Sequence, residues 1–138
     1  MPIMFDTKVA LIIRSDLAGW QKLNVAAFLA TGIAAAAPEA VGEPYVDARG
    51  RVYGPMLGQP ILIFAAGREE LQAAHREALE RDLHVVPYVA AMFTTGHDAA
   101  NRAVFAAEDP ENLDLVGLGL RGRKKAVDKA TKGLALHG

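Results

Sequence analysis

Runs of apolar residues alternate with amphipathic stretches along this chain and predict four strands separated by helices. Each apolar run has the length of a strand; the runs lie at residues 9–13, 59–65, 83–89 and 113–120. The first run is apolar throughout, so we expect it at the centre of a sheet, covered on both faces. Helical composition and spacing fill residues 20–36, 67–82, 99–107 and 124–132. Strands that alternate with helices predict an α/β layer fold.

The first predicted helix is rich in alanine and apolar around much of its circumference. One face is made of Leu23, Ala26, Ala27, Ala30, Ile33 and Ala34, and it is widened by Val25, Phe28 and Leu29. A helix with so wide an apolar arc is expected to be buried on more than one side, against the sheet and at a subunit contact.

Proline and glycine residues add detail to this pattern. Pro38 ends the first helix, and residues 45–53 predict a short hairpin. Pro87 places the third predicted strand at a sheet edge or at a bend. Gly117 and Gly119 in the fourth predicted strand are expected to let a bulky neighbour approach closely.

The composition is that of a single globular domain spanning residues 1–138, with 51% hydrophobic and 22% charged residues. The chain contains no cysteine, which excludes disulfides, zinc–thiolate sites and cysteine nucleophiles. Residues 25–37 form the most apolar window, but it is interrupted by Thr31 and Gly32 and is shorter than the ~20 residues of a membrane span. With no secretory signal in the sequence, we expect a cytoplasmic protein with no membrane partner.

Positive charge is concentrated near the end of a chain whose net charge is only −1. The basic segment covers residues 121–132, beginning with Arg121 and ending with Lys132. An RNA-binding surface there would hold phosphates with a salt-sensitive affinity. Because no aromatic residues lie between these charges to stack on bases, we favour a solvated helix face over a nucleic-acid contact.

A polar elbow joins the first strand to the first helix and holds four candidate ligand-binding residues. Asp16 lies at the end of the strand, where α/β sheets bind ligands; alternatively it caps the helix or pairs with Arg14. Asn24 is a candidate ligand anchor or a tie to neighbouring backbone, and Lys22 is an anion contact or a solvated side chain. Trp20 is the only tryptophan, and we favour a buried anchor over a pocket wall.

A second polar cluster contains Thr94, Thr95, His97 and Asp98. A histidine beside a carboxylate and two hydroxyls suits general-base catalysis. The alternative is a turn followed by a helix that Asp98 caps. The histidines are not grouped at metal-ligand spacing, so we predict neither a metal nor another cofactor.

Short strings in a fixed order resemble the type II peptidyl-tRNA hydrolases over nearly the whole chain. These strings are Arg14-Ser15-Asp16-Leu17, Gly58-Gln59-Pro60, Glu69-Glu70-Leu71 and Val116-Gly117-Leu118-Gly119. The elbow string Trp20-Gln21-Lys22-Leu23-Asn24 further resembles a small uncharacterised bacterial family that shares their fold. The resemblance implies a three-layer α/β/α sandwich around a four-stranded mixed sheet, usually assembled as a homodimer.

The resemblance retains only part of the hydrolases' reactive set. Their lysine position holds Asn24 and their aspartate position holds Ala90, while their threonine remains as Thr94. Our leading hypothesis is therefore a dimeric protein that has lost this reaction and keeps a pocket for a small molecule or short peptide. A divergent ester hydrolase using Lys22 or His97 with Thr94 is the second hypothesis, and a dimeric assembly module built on the first helix is the third.

Overall fold

A computed structural model describes residues 5–138, and its elements follow the order that the apolar runs predict. The strands are β1 (Thr7–Arg14), β2 (Tyr45–Val46), β3 (Val52–Tyr53), β4 (Ile61–Ala66), β5 (His84–Val89), β6 (Leu115–Arg123) and β7 (Ala135–Leu136). The helices are α1 (Gly19–Ala36), α2 (Arg68–Glu80), α3 (Asp98–Ala106) and α4 (Lys124–Ala130). Two 3₁₀ turns, Pro38–Ala40 and Ala90–Thr94, follow α1 and β5.

Five strands form one mixed sheet in the order β5-β6-β1-β4-β7. β1 runs parallel to β4, and the other neighbours are antiparallel. The mixed α/β class is confirmed, as are the central place of β1 and the position of Pro87 in an edge strand, where proline is tolerated. The expected count of four strands is wrong, because β7 pairs with β4 through Ala135 and Leu136. A two-residue strand is too short to show a periodic pattern.

Different helices cover the two faces of this sheet. Alternate residues of β1 point to opposite faces, so Leu11 and Ile13 pack with α1 whereas Ile12 packs on the side of α2 and α4. The α1 face buries Val25, Leu29, Ile33, Tyr88 and Val116. The opposite face buries Leu71, Ala74, Ala78, Leu118, Leu120 and Ala130.

Glycines let α1 lie close to the sheet. A Cβ on Gly117 of β6 would lie 2.3 Å from Val25 Cγ1, and a Cβ on Gly32 of α1 would lie 2.6 Å from Val86 Cγ1. Both separations are shorter than real Cβ contacts, so neither position accepts a side chain without movement of its neighbours. The prediction that the fourth strand admits a bulky neighbour at its glycines is confirmed.

The face that α1 turns to the sheet differs from the predicted one. Its buried residues are Val25, Leu29 and Ile33, whereas Leu23 is 75% exposed and Phe28 is 56% exposed. Because apolar residues cover most of the helix, periodicity does not select one side, and close contact with the glycines of β6 decides the matter. Burial of Leu23 against the sheet was therefore a wrong prediction.

The predicted hairpin is confirmed as β2 and β3, a sheet of its own. Tyr45 pairs with Tyr53 and Val46 with Val52, and Asp47 Oδ1 accepts hydrogen bonds from the backbone N–H groups of the turn. All four paired side chains are exposed. The hairpin thus presents apolar groups that its own chain leaves uncovered.

Part of the predicted basic segment is neutralised within the chain. Arg121 belongs to β6 rather than to a helix, and its guanidinium lies 3.3 Å from Glu39 Oε1 and 3.1 Å from Gln59 Oε1. The charge of Arg121 is therefore paired within the chain and is not free to hold a phosphate.

Candidate functional site

Asp16, in the elbow between β1 and α1, forms an ion pair rather than a helix cap. Arg14 Nε donates to Asp16 Oδ1 at 2.8 Å, which is one of the alternatives that the sequence left open. The hydrogen bond from Arg14 holds the pKa of Asp16 below its usual value. At the start of α1, Gln21 Oε1 accepts from the Ala18 N–H at 3.0 Å. Asp16 therefore stabilises the elbow beside Arg14 in this structure.

A cavity of about 460 Å³ opens between the first turns of α1 and the segment that joins β5 to α3. Small-molecule sites typically occupy roughly 300–1,000 Å³. Three parts of the chain that are distant in sequence line the cavity: α1, the end of β5 with the 3₁₀ turn, and the start of α3. The cavity is therefore a product of the tertiary fold and is large enough for a small ligand.

Four aromatic rings form one wall of the cavity. Trp20 meets Phe93 edge-to-face with centroids 5.9 Å apart, Phe93 lies 5.3 Å from Tyr88, and Tyr88 lies 6.1 Å from Phe28. These separations are typical of favourable aromatic pairs. The prediction of a buried Trp20 is wrong, because the elbow places its ring at the cavity rim with 63% exposure. An exposed ring at a rim offers a surface on which a ligand can stack.

Polar side chains of the β5–α3 segment complete the cavity. Thr95 Oγ1 lies 2.9 Å from the Met92 carbonyl oxygen and also contacts Asn101 Oδ1. The single hydroxyl proton of Thr95 serves only one of these two oxygens. The close contact nevertheless holds the Asn101 side chain beside Thr95 at the cavity wall.

His97, rather than the predicted Asp98, caps α3. His97 Nδ1 accepts from the Ala100 N–H at 3.2 Å, and Asp98 Oδ2 instead pairs with Arg102 Nη1 at 2.6 Å. Because Nδ1 is an acceptor, a neutral His97 ring carries its proton on Nε2. The cap therefore selects the tautomer that His97 presents to the cavity.

Tyr88 brings a largely buried side chain with a hydroxyl group to the cavity. Its side chain is 8% exposed and lines the cavity wall, and burial raises the pKa of Tyr88. The hydroxyl oxygen itself is not fully buried. A molecule in the cavity can therefore form a hydrogen bond with it.

A second cavity of about 630 Å³ adjoins the first between α1 and α3. The two cavities share Phe28, Tyr88, Met92, Asp98 and Asn101. Beyond these shared residues the second cavity runs along β5, past Val86 and Pro87, toward Phe105 of α3. The pair of cavities forms one trough whose far end is apolar.

Four of the predicted site residues, Trp20, Asn24, Thr95 and His97, line the first cavity. Within the described part of the chain its lining does not include Asp16, Lys22 or Thr94. Thr94 Oγ1 donates to the Ala91 carbonyl oxygen at 2.8 Å. Lys22 and Thr94 are thus not gathered with His97 around this cavity, and ligand binding by the other residues stays a prediction.

Sequence reasoning missed Phe28, Tyr88, Phe93 and Asn101 as wall residues. Phe28 was assigned to the helix core, and Tyr88 to a strand without a role in a site. One signal was available: residues 91–93, Ala-Met-Phe, are apolar where the resembled hydrolases are polar. An apolar loop after an edge strand fits a wall that packs aromatic rings rather than one that carries charged groups.

The described residues give no indication of a metal centre or a membrane segment. No group of three or more His, Asp or Glu side chains within 5–138 is placed to hold a metal ion. Across the same residues, no helix combines the length and apolar character needed to cross a membrane.

The fold and its trough define a mixed α/β protein with a five-stranded sheet and a ligand-sized cavity. The family model described as "Protein of unknown function (DUF2000)" matches residues 7–138, and the chain belongs to that family. A solved structure of a protein of unknown function from Agrobacterium tumefaciens strain C58, Atu0240, is 52% identical with a TM-score of 0.94. That match covers 98% of this chain and 100% of the other. No curated protein matches this chain.

Proposed function

We propose that this chain is a cytoplasmic protein whose cavity beside α1 binds a small molecule or a short peptide without hydrolysing it. One observation carries the proposal: a cavity of about 460 Å³ is walled by aromatic rings and also lined by polar side chains, with the hydroxyl of the largely buried Tyr88 among them. Apolar cavities with a few converging polar groups are the usual form of ligand sites.

The reactive positions argue against hydrolysis within a fold like that of the type II peptidyl-tRNA hydrolases. Asn24 and Ala90 stand where the resemblance places a lysine and an aspartate. The Thr94 hydroxyl donates to the Ala91 backbone and lies outside the cavity lining. These features support a binding protein on a hydrolase-like frame.

Trp20 gives a direct test of binding, because it is the only tryptophan and lies at the cavity rim. We expect members of a small-molecule fragment library to change its fluorescence saturably, and Asn24→Ala to weaken those that reach the polar wall. Leu23→Ala is the matched control, since Leu23 is the exposed neighbour on α1 outside the lining. Absence of any saturable change would count against the proposal, as would turnover of peptidyl-tRNA that Thr94→Ala abolishes.

We also propose that the protein forms a homodimer. The hairpin exposes Tyr45, Val46, Val52 and Tyr53, and α1 exposes Leu23 and Phe28. The exposed apolar side chains of the hairpin lie next to each other, and an apolar cluster that its own chain leaves uncovered is typical of an association surface. Light scattering should give twice the monomer mass, reduced by Val52→Glu or by Phe28→Glu; a monomeric mass for the unaltered protein would overturn this proposal.

A further inference from the structure

The chemistry of the trough changes along its length. At the α1 end, the wall combines aromatic rings with the side chains of Asn24, Thr95 and His97. At the other end, the lining is mostly aliphatic and aromatic, with Val86, Pro87 and Phe105. Because Tyr88 lines both cavities, its side chain lies where the polar end passes into the apolar end.

Two hydrogen-bond donors lie at the polar end. The Tyr88 hydroxyl lines this cavity and can donate into it, and neutral His97 carries its proton on Nε2 because its Nδ1 caps α3. Asn24 and Asn101 add side-chain amide groups to the same wall. A group of donors is satisfied by an oxygen acceptor such as a carbonyl.

The charges around the trough compensate each other. Asp98 and Arg102 are the ionised side chains that line it within the described chain, and they pair with each other at 2.6 Å. A charged ligand would lose part of its hydration in the trough, and no unpaired side chain of opposite charge would compensate for that loss. A neutral head group avoids that cost.

Resting on the ligand-binding function proposed above, we propose that the two cavities bind one elongated neutral molecule. A carbonyl oxygen of this molecule accepts from Tyr88 at the junction, and an unbranched apolar chain lies along β5 in the second cavity. Primary amides of straight-chain fatty acids are the simplest compounds with this chemistry.

A series of such amides tests the chain, with Trp20 fluorescence and calorimetry at about pH 8 as readouts. We expect the affinity to rise about fourfold for each methylene from butanamide to octanamide, since each buried CH₂ is worth roughly that factor. At equal chain length, octanamide should bind more tightly than octanoate or octylammonium. Equal affinities for butanamide and octanamide, or tighter binding of either ion, would overturn the inference.

Two pairs of variants test where the amide group and the apolar chain of the ligand bind. Tyr88→Phe keeps the ring and should weaken octanamide about fivefold, the usual net effect of one hydrogen bond; Tyr53→Phe removes an exposed hydroxyl on the hairpin and should change nothing. Ala106→Phe places bulk in the apolar end and should abolish the gain from hexanamide to octanamide, whereas Ala103→Phe on the same helix lies outside the lining and should retain it. Unchanged octanamide binding in both Tyr88→Phe and Ala106→Phe would contradict the assignment.

The outcomes separate this inference from the proposed function. If fragments bind beside Trp20 while no amide of the series does, the ligand class is wrong and the binding function stands. If neither fragments nor amides bind, both proposals fall.

Discussion

The two faces of the sheet differ in how helices pack on them. On one face, Leu118 and Leu120 of β6 are buried against Leu71 and its neighbours on α2. On the other face the same strand presents Gly117 and Gly119, so that α1 packs directly on the backbone. On the first face, large side chains of the sheet and the helix pack against each other. On the second face, one helix lies close to the sheet backbone, and the aromatic residues beside that helix line a trough instead of filling a core.

The largest expected effect contrasts one residue from each face. Leu118→Ala removes a fully buried side chain and should lower the free energy of unfolding by about 2–5 kcal/mol. Phe28→Ala removes a larger side chain that is 56% exposed at the trough, and the loss should stay below about 1 kcal/mol. Urea unfolding measures both. A loss for Phe28→Ala equal to that for Leu118→Ala would show that the ring is packed after all, for instance in a subunit contact.

A second contrast tests the close approach of α1. Gly117→Ala places a Cβ 2.3 Å from Val25 Cγ1, and the overpacking should cost about 1–3 kcal/mol in unfolding free energy. Gly119→Ala is the matched change two residues along β6, where the nearest side-chain atoms would lie 3.5 Å away at ordinary contact distance. It should be nearly neutral. Equal losses for the two variants would remove the argument that α1 is positioned by contact at Gly117.

A third prediction concerns His97, which lines the trough and caps α3. His97→Ala leaves the Ala100 N–H without its acceptor and should destabilise α3 by about 1 kcal/mol. His97→Asn, which supplies a side-chain oxygen at the cap position, should recover most of that loss. Amide hydrogen exchange in α3 is the measurement, and exchange rates equal to those of the unaltered protein in His97→Ala would contradict the capping role.

The smallest effect is confined to alkaline solution. Burial raises the folded-state pKa of Tyr88 above its ordinary value of 10.0, so the folded state binds this proton more tightly than the unfolded state does. The free energy of unfolding is unaffected below the unfolded-state pKa and declines as pH rises from there through the raised folded-state pKa. In Tyr88→Phe this part of the alkaline decline should be absent. Tyrosinate absorbance and chemical denaturation measured together check it, and an unchanged decline in Tyr88→Phe would show that other groups cause it.

Much of the fold could be read from the sequence because burial leaves a periodic pattern. β1 is apolar at every position from residue 9 to residue 13, and Pro87 can occupy a sheet only where its missing N–H faces outward. Two features left no such pattern. β7 is only two residues long, and α1 is apolar over so much of its surface that the sheet-facing side was assigned wrongly.

The candidate site was only partly predictable for a related reason. Trp20, Asn24, Thr95 and His97 could be singled out because they belong to two polar clusters, one at the start of α1 and one before α3. Tyr88 and Phe28 did not, since aromatic residues in strands and helices are normally core residues. Their common wall depends on the distance between α1 and β5, which side-chain contacts with Gly32 set in three dimensions.

The most direct test of the central claim, that the cavity beside α1 binds a ligand, is a ¹H–¹⁵N spectrum recorded during titration with a fragment that alters Trp20 fluorescence. The account predicts saturable shifts of the Trp20 indole and of the Asn24 and Asn101 side-chain amides, while the amides of the hairpin turn near Asp47 stay in place. Shifts confined to the hairpin, or spread over the surface without saturation, would contradict it.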